Sequence, residues 1–169
     1  MGTGNSKDVT SVVIAGLGGQ GVLKASDIVS EAAFRAGLDV KKSEVHGMSQ
    51  RGGSVTSDIR FGRQVWSPMT PPGEADYLVL LDAGQLEPNR GLLRPGGMLI
   101  HPGWIDPAAL ASRKSLNVAL IGVLSAALDI PEEVWAAAIR ASFGKRLHEA
   151  NEAAFRVGRA AARNQPKGA

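Results

Sequence analysis

The sequence predicts an α/β fold: a Rossmann-like three-layer sandwich with a mostly parallel sheet, an edge hairpin and a helical C-terminal portion. Three observations predict it. The β-branched run SVVIAG passes through GLGGQG into the amphipathic stretch VLKASDIVSEAAFRAG, giving strand, glycine turn and helix in the order that opens a βαβ unit. Farther on, YLVLLD and MLIHP are short continuous apolar runs, of the kind buried on both faces of a parallel sheet. From residue 107 onward only helical patterns remain.

In chain order, residues 1–9 read as a disordered lead-in, 10–164 as one domain and 165–169 as a flexible tail. Gly37 closes the first helix as a C-cap. LDVKKSEV is expected to be a second strand parallel to the first, followed by the polar loop HGMSQRGGS. VTSDIRF alternates, with Val55, Ile59 and Phe61 on one parity and Thr56, Asp58 and Arg60 on the other, which predicts a half-buried strand. Gly62–Arg63 is expected to turn into QVW and form the edge hairpin. AGQLEPNRGLL predicts a short, interrupted helix, and RPGG a turn before the last strand. SLNVALIGVLSAALD, apolar nearly all round, is expected in the core. PEEVWAAAIRASF carries acids near its start, as the helix dipole favours. The last helix, from about Leu147 to Arg163, sets Ala150, Ala153, Ala154 and Val157 on one side. The Trp66–Met69 loop is the interface candidate, while Trp104 and Trp135 fit either interface or core.

Bulk composition narrows the function classes. The 169 residues are one domain's worth, with 44% hydrophobic and 21% charged residues, so a packed core is expected. Cysteine is absent, which removes thiolate ligation of an iron–sulfur cluster, disulfides and a cysteine nucleophile. A net charge of +3 and only 5% aromatics argue against nucleic-acid binding. The polar start MGTGNSKDVTS does not resemble a secretory signal and no apolar stretch would span a bilayer, so a cytoplasmic protein is expected.

GLGGQG places Gly16, Gly18, Gly19 and Gly21 between strand and helix, where the backbone can approach a ligand and the helix N-terminus offers free N–H groups to an anion. A dinucleotide would also need an acid at the end of the second strand for the ribose. Asp39 comes too early; Glu44 is placed better but follows Lys41 and Lys42. A turn that only packs helix against strand fits the motif equally well.

The second loop is more specific. Ser43 to Ser54 packs His46, Ser49, Gln50 and Arg51 between Gly47, Gly52 and Gly53, at the sheet edge where open α/β sheets bind ligands. His46 and Arg51 are the catalytic candidates; His46 equally fits a structural donor, and Arg51 fits either an anion fork or a brace for loop carbonyls. His46, His101 and His148 are too scattered to suggest a metal site.

GLGGQGVLKASDIVSEAAFRAGLDVKKSEVHGMSQRGGSV resembles the gamma domain of the 2-oxoacid:ferredoxin (acceptor) oxidoreductase family. GGQGV is widespread there, and SEVHGMSQRGGSV is similar to the small subunit of the indolepyruvate type. The resemblance continues through WSPMTPPGEADYLVLLD, LLRPGGMLI, NVALIGVLSAAL and NEAAFRVG. It implies one subunit of an enzyme that oxidatively decarboxylates a 2-oxoacid to its acyl-CoA, with electrons passing to ferredoxin. Thiamine diphosphate, magnesium and iron–sulfur clusters are then expected on a large partner chain, with coenzyme A as co-substrate and this chain inactive alone. Carried over, Gly16, Gly18, Gly19, Gln20, Gly21, His46, Gly47, Met48, Ser49, Gln50, Arg51, Gly52 and Gly53 match the motifs. Of these Gln20, Ser49, Gln50 and Arg51 are expected to face the partner's thiamine site or an anionic ligand. One departure is a short bridge between Pro107 and Ser115, where family members usually carry a further strand and helix. Other aryl 2-oxoacids stay open as substrates. Two other readings are an assembly or regulatory protein that kept the fold without the activity, and a free-standing NAD(P)-binding dehydrogenase.

Overall fold

The computed structural model describes residues 8–47 and 52–165. Most of the expected lead-in, residues 166–169 of the expected tail, and Met48, Ser49, Gln50 and Arg51 lie outside them. Five strands form one sheet: β1 (Val9–Leu17), β2 (Asp39–His46), β3 (Ser54–Gly62), β4 (Ala75–Leu80) and β5 (Leu93–Ile100). Their order is β2-β3-β1-β4-β5. The α-helices are α1 (Val22–Arg35), the four-residue α2 (Leu86–Asn89), α3 (Leu116–Ser125), α4 (Glu132–Ser142) and α5 (His148–Ala162).

β1 is the central strand, with Val12, Val13, Ile14 and Ala15 all fully buried. It pairs parallel with β4, and β4 in turn parallel with β5. On its other side β1 pairs antiparallel with β3, and β3 antiparallel with β2. The sheet is therefore mixed, and two expectations change. β2 runs in the same direction as β1 but is separated from it by β3. The edge hairpin is β2–β3, joined through the second glycine loop, whereas QVW forms no strand. Half-burial explains the choice: Val55, Ile59 and Phe61 of β3 face the core, whereas β2 buries no residue fully and suits an edge. RPGG, expected as a turn before the last strand, falls within the bounds of β5 but is skipped by its pairing: the register jumps from Ala75↔Leu93 to Tyr77↔Met98, and Gly96 adopts a left-handed φ of 75°.

The main core lies between one face of the sheet and α1, α3, α4 and α5. α3 is buried on every side, as its composition predicts, and Trp135 is core rather than interface. The second face carries a smaller cluster, Val13, Ala15, Ala75, Leu78 and Leu80, covered by Leu86 and Leu92 around α2. Beside it the 67–70 loop is strapped to β3. Arg60 donates to the carbonyls of Ser67 and Met69, and Thr70 N–H donates to Asp58. Burial pushes the Asp58 carboxyl up from its ordinary value, against the opposing pull of the Thr70 N–H and Arg60. Trp66 stands 83% exposed and Met69 60% exposed on this loop. Among the described residues, no helix is long and apolar enough to cross a membrane.

Candidate functional site

β1 and β4 run parallel, so Leu17 and Leu80 end at the same sheet edge, and the chain crosses that edge through GLGGQG. Gly19 and Gly21 both adopt left-handed φ, of 88° and 85°. A Cβ at Gly21 would also run into the Asn117 amide, so glycine is required there twice over. α1 then starts with no side-chain cap and no acid in its first turn. Its first N–H groups, and the positive end of its dipole, are left for whatever lies in front of the turn.

Three contacts fix the turn from different parts of the chain. Gly18 N–H donates to the Gly53 carbonyl at 2.9 Å, joining the first glycine turn to the end of the second loop. Asn117 Nδ2 donates to the Gly21 carbonyl at 3.2 Å, tying the start of α3 to the start of α1. Gln20 spans the remaining side. Its Oε1 accepts from Leu17 N–H at 2.7 Å, and its Nε2 donates to the Asp82 carboxylate at 3.0 Å.

Two clefts flank the turn. One, of about 510 Å³, is lined by Gly19, Gln20, Gly21, Leu81, Leu116 and Asn117 with Arg113 and Lys114 at its wall. The other, of about 370 Å³, is lined by Gly18, Gly19, Gly21, Leu23, Lys24 and His46. Free helical N–H groups between cationic side chains make a setting for an anionic group such as a phosphate or carboxylate. A wider groove of about 670 Å³ between α1, β2 and the end of α4 is a poorer candidate. Its charges are already spent: Lys42 pairs with Asp27 and Glu44, Glu31 pairs with Arg35, and Lys24 donates to the Ser142 carbonyl.

Of the residues singled out in the sequence, the structure brings Gly16, Gly18, Gly19, Gln20, Gly21, His46, Gly47, Gly52 and Gly53 to one edge. Ser49, Gln50 and Arg51 fall outside the described residues. Glu44, the acid considered for a ribose, sits on the edge strand β2 with β3 between it and β1, and pairs with Lys42 at 3.2 Å. Two strand spacings, about 10 Å, separate it from the strand that carries the glycine turn. Four residues of the site escape the sequence reading: Asp82, Arg113, Lys114 and Asn117. Asp82 carried a signal, as an acid closing the apolar run YLVLLD at the ligand edge. Asn117 carried another, as an amide opening an otherwise apolar helix. Arg113 and Lys114 sit in the short bridge, which forms two 3-10 turns, Pro107–Ala109 and Arg113–Ser115, and delivers them to the glycine turn.

Residues 11–161 match the family model described as pyruvate ferredoxin/flavodoxin oxidoreductase. A stretch of 89 residues is 43% identical to indolepyruvate oxidoreductase subunit IorB of Thermococcus kodakarensis, covering 53% of this chain and 44% of that one. The match thus spans less than half the length of that relative. The fold is similar to a keto/oxoacid ferredoxin oxidoreductase gamma subunit from Geobacter sulfurreducens, with a TM-score of 0.78 at 21% identity. That likeness covers 92% of this chain and 99% of the other. It is also similar to 2-oxoglutarate:ferredoxin oxidoreductase from Magnetococcus marinus, solved with 2-oxoglutarate, coenzyme A and succinyl-CoA bound. There the TM-score is 0.81 at 20% identity, over 95% of this chain and 32% of that one.

Proposed function

Because the chain belongs to the pyruvate ferredoxin/flavodoxin oxidoreductase family, we propose that it is the small, non-thiamine subunit of a cytoplasmic 2-oxoacid:acceptor oxidoreductase acting on an aryl 2-oxoacid such as indolepyruvate. The observation that carries this reading is the 43% identical stretch shared with an indolepyruvate oxidoreductase subunit. In the reaction the 2-oxoacid loses its carboxylate as CO2, its acyl carbon becomes the thioester of coenzyme A, and two electrons pass to ferredoxin. Thiamine diphosphate on the partner supplies the electron sink for decarboxylation. This chain offers no thiolate, and among the described residues no group of three or more His, Cys, Asp or Glu that would hold a metal. By analogy with the family, the magnesium and the iron–sulfur clusters are assigned to a large partner chain, and this chain is expected to be inactive alone.

Its own part is to close that site and to hold an anion. The N–H groups behind Gly21, with Arg113 and Lys114 beside them, suit a phosphate of coenzyme A or the substrate carboxylate. His46 and the loop through Gly47, Ser49, Gln50, Arg51, Gly52 and Gly53 are assigned to face the partner's thiamine pocket. Anaerobic isolation of the tagged chain from its native host tests the reading. A brown complex with a large thiamine- and cluster-binding chain, reducing ferredoxin when given indolepyruvate and coenzyme A, is expected. A colourless chain recovered alone under gentle conditions would overturn it in favour of the assembly-protein reading. Within the complex, Arg51→Ala is expected to impair assembly or turnover; an unaffected enzyme would remove Arg51 from the site.

A further inference from the structure

We propose that Gln20 and Asp82 are the positioning pair of this site, a clip that sets the shape of the glycine turn and through it the binding of the anionic co-substrate. The proposal rests on the functional reading above for its last step only.

The Leu17 N–H can only donate and the Asp82 carboxylate can only accept, so the orientation of the Gln20 amide between them is dictated by its partners. Oε1 must face Leu17 and Nε2 must face Asp82. With both ends of its amide engaged inside the chain, Gln20 acts on a ligand chiefly through the backbone it holds, although it also lines the cleft. Asp82 is equally committed. Its Oδ2 takes the Gln20 amide, and its Oδ1 accepts from Gly84 N–H at 2.9 Å, capping the 3-10 turn that follows β4. The clip therefore joins Gln20 and Asp82, 62 residues apart in sequence, just past the ends of two neighbouring parallel strands. Asn117 holds the same turn from the α3 side. A turn with two left-handed glycines has no stiffness of its own, because glycine accepts many conformations. Its presented N–H groups stay in register only if side chains fix it from outside.

An exchange of charge between the two positions tests this. Gln20→Glu sets two carboxylates against each other and removes the donor to Asp82. Asp82→Asn alone leaves the Gln20 amide and the Gly84 N–H competing for one carbonyl oxygen. In the double variant every partner is restored. The carboxylate introduced at position 20 accepts from Leu17 N–H and from the amide introduced at position 82, whose own oxygen accepts from Gly84 N–H. In the full chain, each single variant is expected to lose amide-exchange protection at Leu17 and Gly18, and the double variant to regain it. In the assembled enzyme the singles are expected to raise the KM for coenzyme A by roughly tenfold or more with a smaller change in kcat, and the double variant to return it toward wild type. A double variant no better than the singles, or singles with unchanged protection, overturns the clip. Protection that follows the clip while KM stays flat in an active complex overturns its role in binding. If the wild-type complex shows no coenzyme A-dependent turnover, the functional reading fails and the exchange data still decide the clip.

Discussion

Gly122 of α3 and Gly158 of α5 lie against each other, so that a Cβ on either would overlap a carbonyl oxygen of the opposite helix: Phe155 for Gly122 and Ala119 for Gly158. These two helices thereby pack backbone to backbone, which is how an apolar α3 is buried without large side chains at the crossing.

Gly158→Ala is accordingly expected to destabilise the protein, although alanine is the better helix former by about 1 kcal/mol. The new methyl meets backbone, which cannot rotate away, so the helices must separate. A net loss of about 2–3 kcal/mol is expected. In a chain of this size that lowers Tm by roughly 4–12 °C, read by calorimetry. Ala160→Gly, on the exposed side of α5, is the control and should cost only about 1 kcal/mol. Equal effects from the two would contradict the close crossing.

Gly21 and Gly37 share a φ of 85°, but only Gly21 is crowded. Gly37→Ala is expected to cost about 1–2 kcal/mol, the strain of a left-handed alanine in open space. Gly21→Ala carries the same strain and must also displace the buried Asn117 amide from the Gly21 carbonyl, adding about 1 kcal/mol. Denaturant midpoints of the two variants would separate them; identical midpoints would show that Asn117 gives way freely.

Asp58 supplies a pH-dependent prediction. Burial raises its folded-state pKa above the ordinary 3.8. Its contribution to stability is therefore present in full below that unfolded value and is lost as pH rises through the folded one. Asp58→Asn keeps an acceptor for Thr70 N–H and cannot ionise. The variant should match or exceed wild type at neutral pH, and wild type should gain on it as pH falls through the raised folded value, with no further gain below 3.8. Urea midpoints across that range measure the difference; a variant that loses stability at pH 7 would show the Arg60 attraction outweighing desolvation.

Arg113 and Lys114 are expected to act as field rather than as chemistry. Replacing both by alanine in the assembled enzyme should raise the KM for coenzyme A and blunt its dependence on salt, with kcat nearly unchanged. A kcat loss at constant KM would instead place them against the reacting groups.

Much of this protein was legible in local sequence. SVVIAG, GLGGQG and the following helix are read correctly because each rests on signals within a few residues: β-branching, glycine spacing and helical periodicity. The burial of α3 follows from its composition, and the parity of β3 from alternation. The strand neighbours were not legible. A strand's pattern states which residues are buried, not which backbone it pairs with, so β3 inserted between β2 and β1 and the hairpin formed through HGMSQRGGS instead of QVW. RPGG carries the residues of a turn, and the register with β4 skips it, from Leu93 to Met98.

For the candidate site the division is the same. The glycine turn, its edge of the sheet and the family are all written in local motifs. Packing alone turns Gln20 toward Asp82, lets Asn117 grip Gly21 across 96 residues, and brings Arg113 and Lys114 alongside through the short bridge. The physical reason is that a backbone conformation is chosen by neighbours along the chain, whereas a hydrogen bond between side chains is chosen by whatever the packed sheet and helices place within about 3 Å.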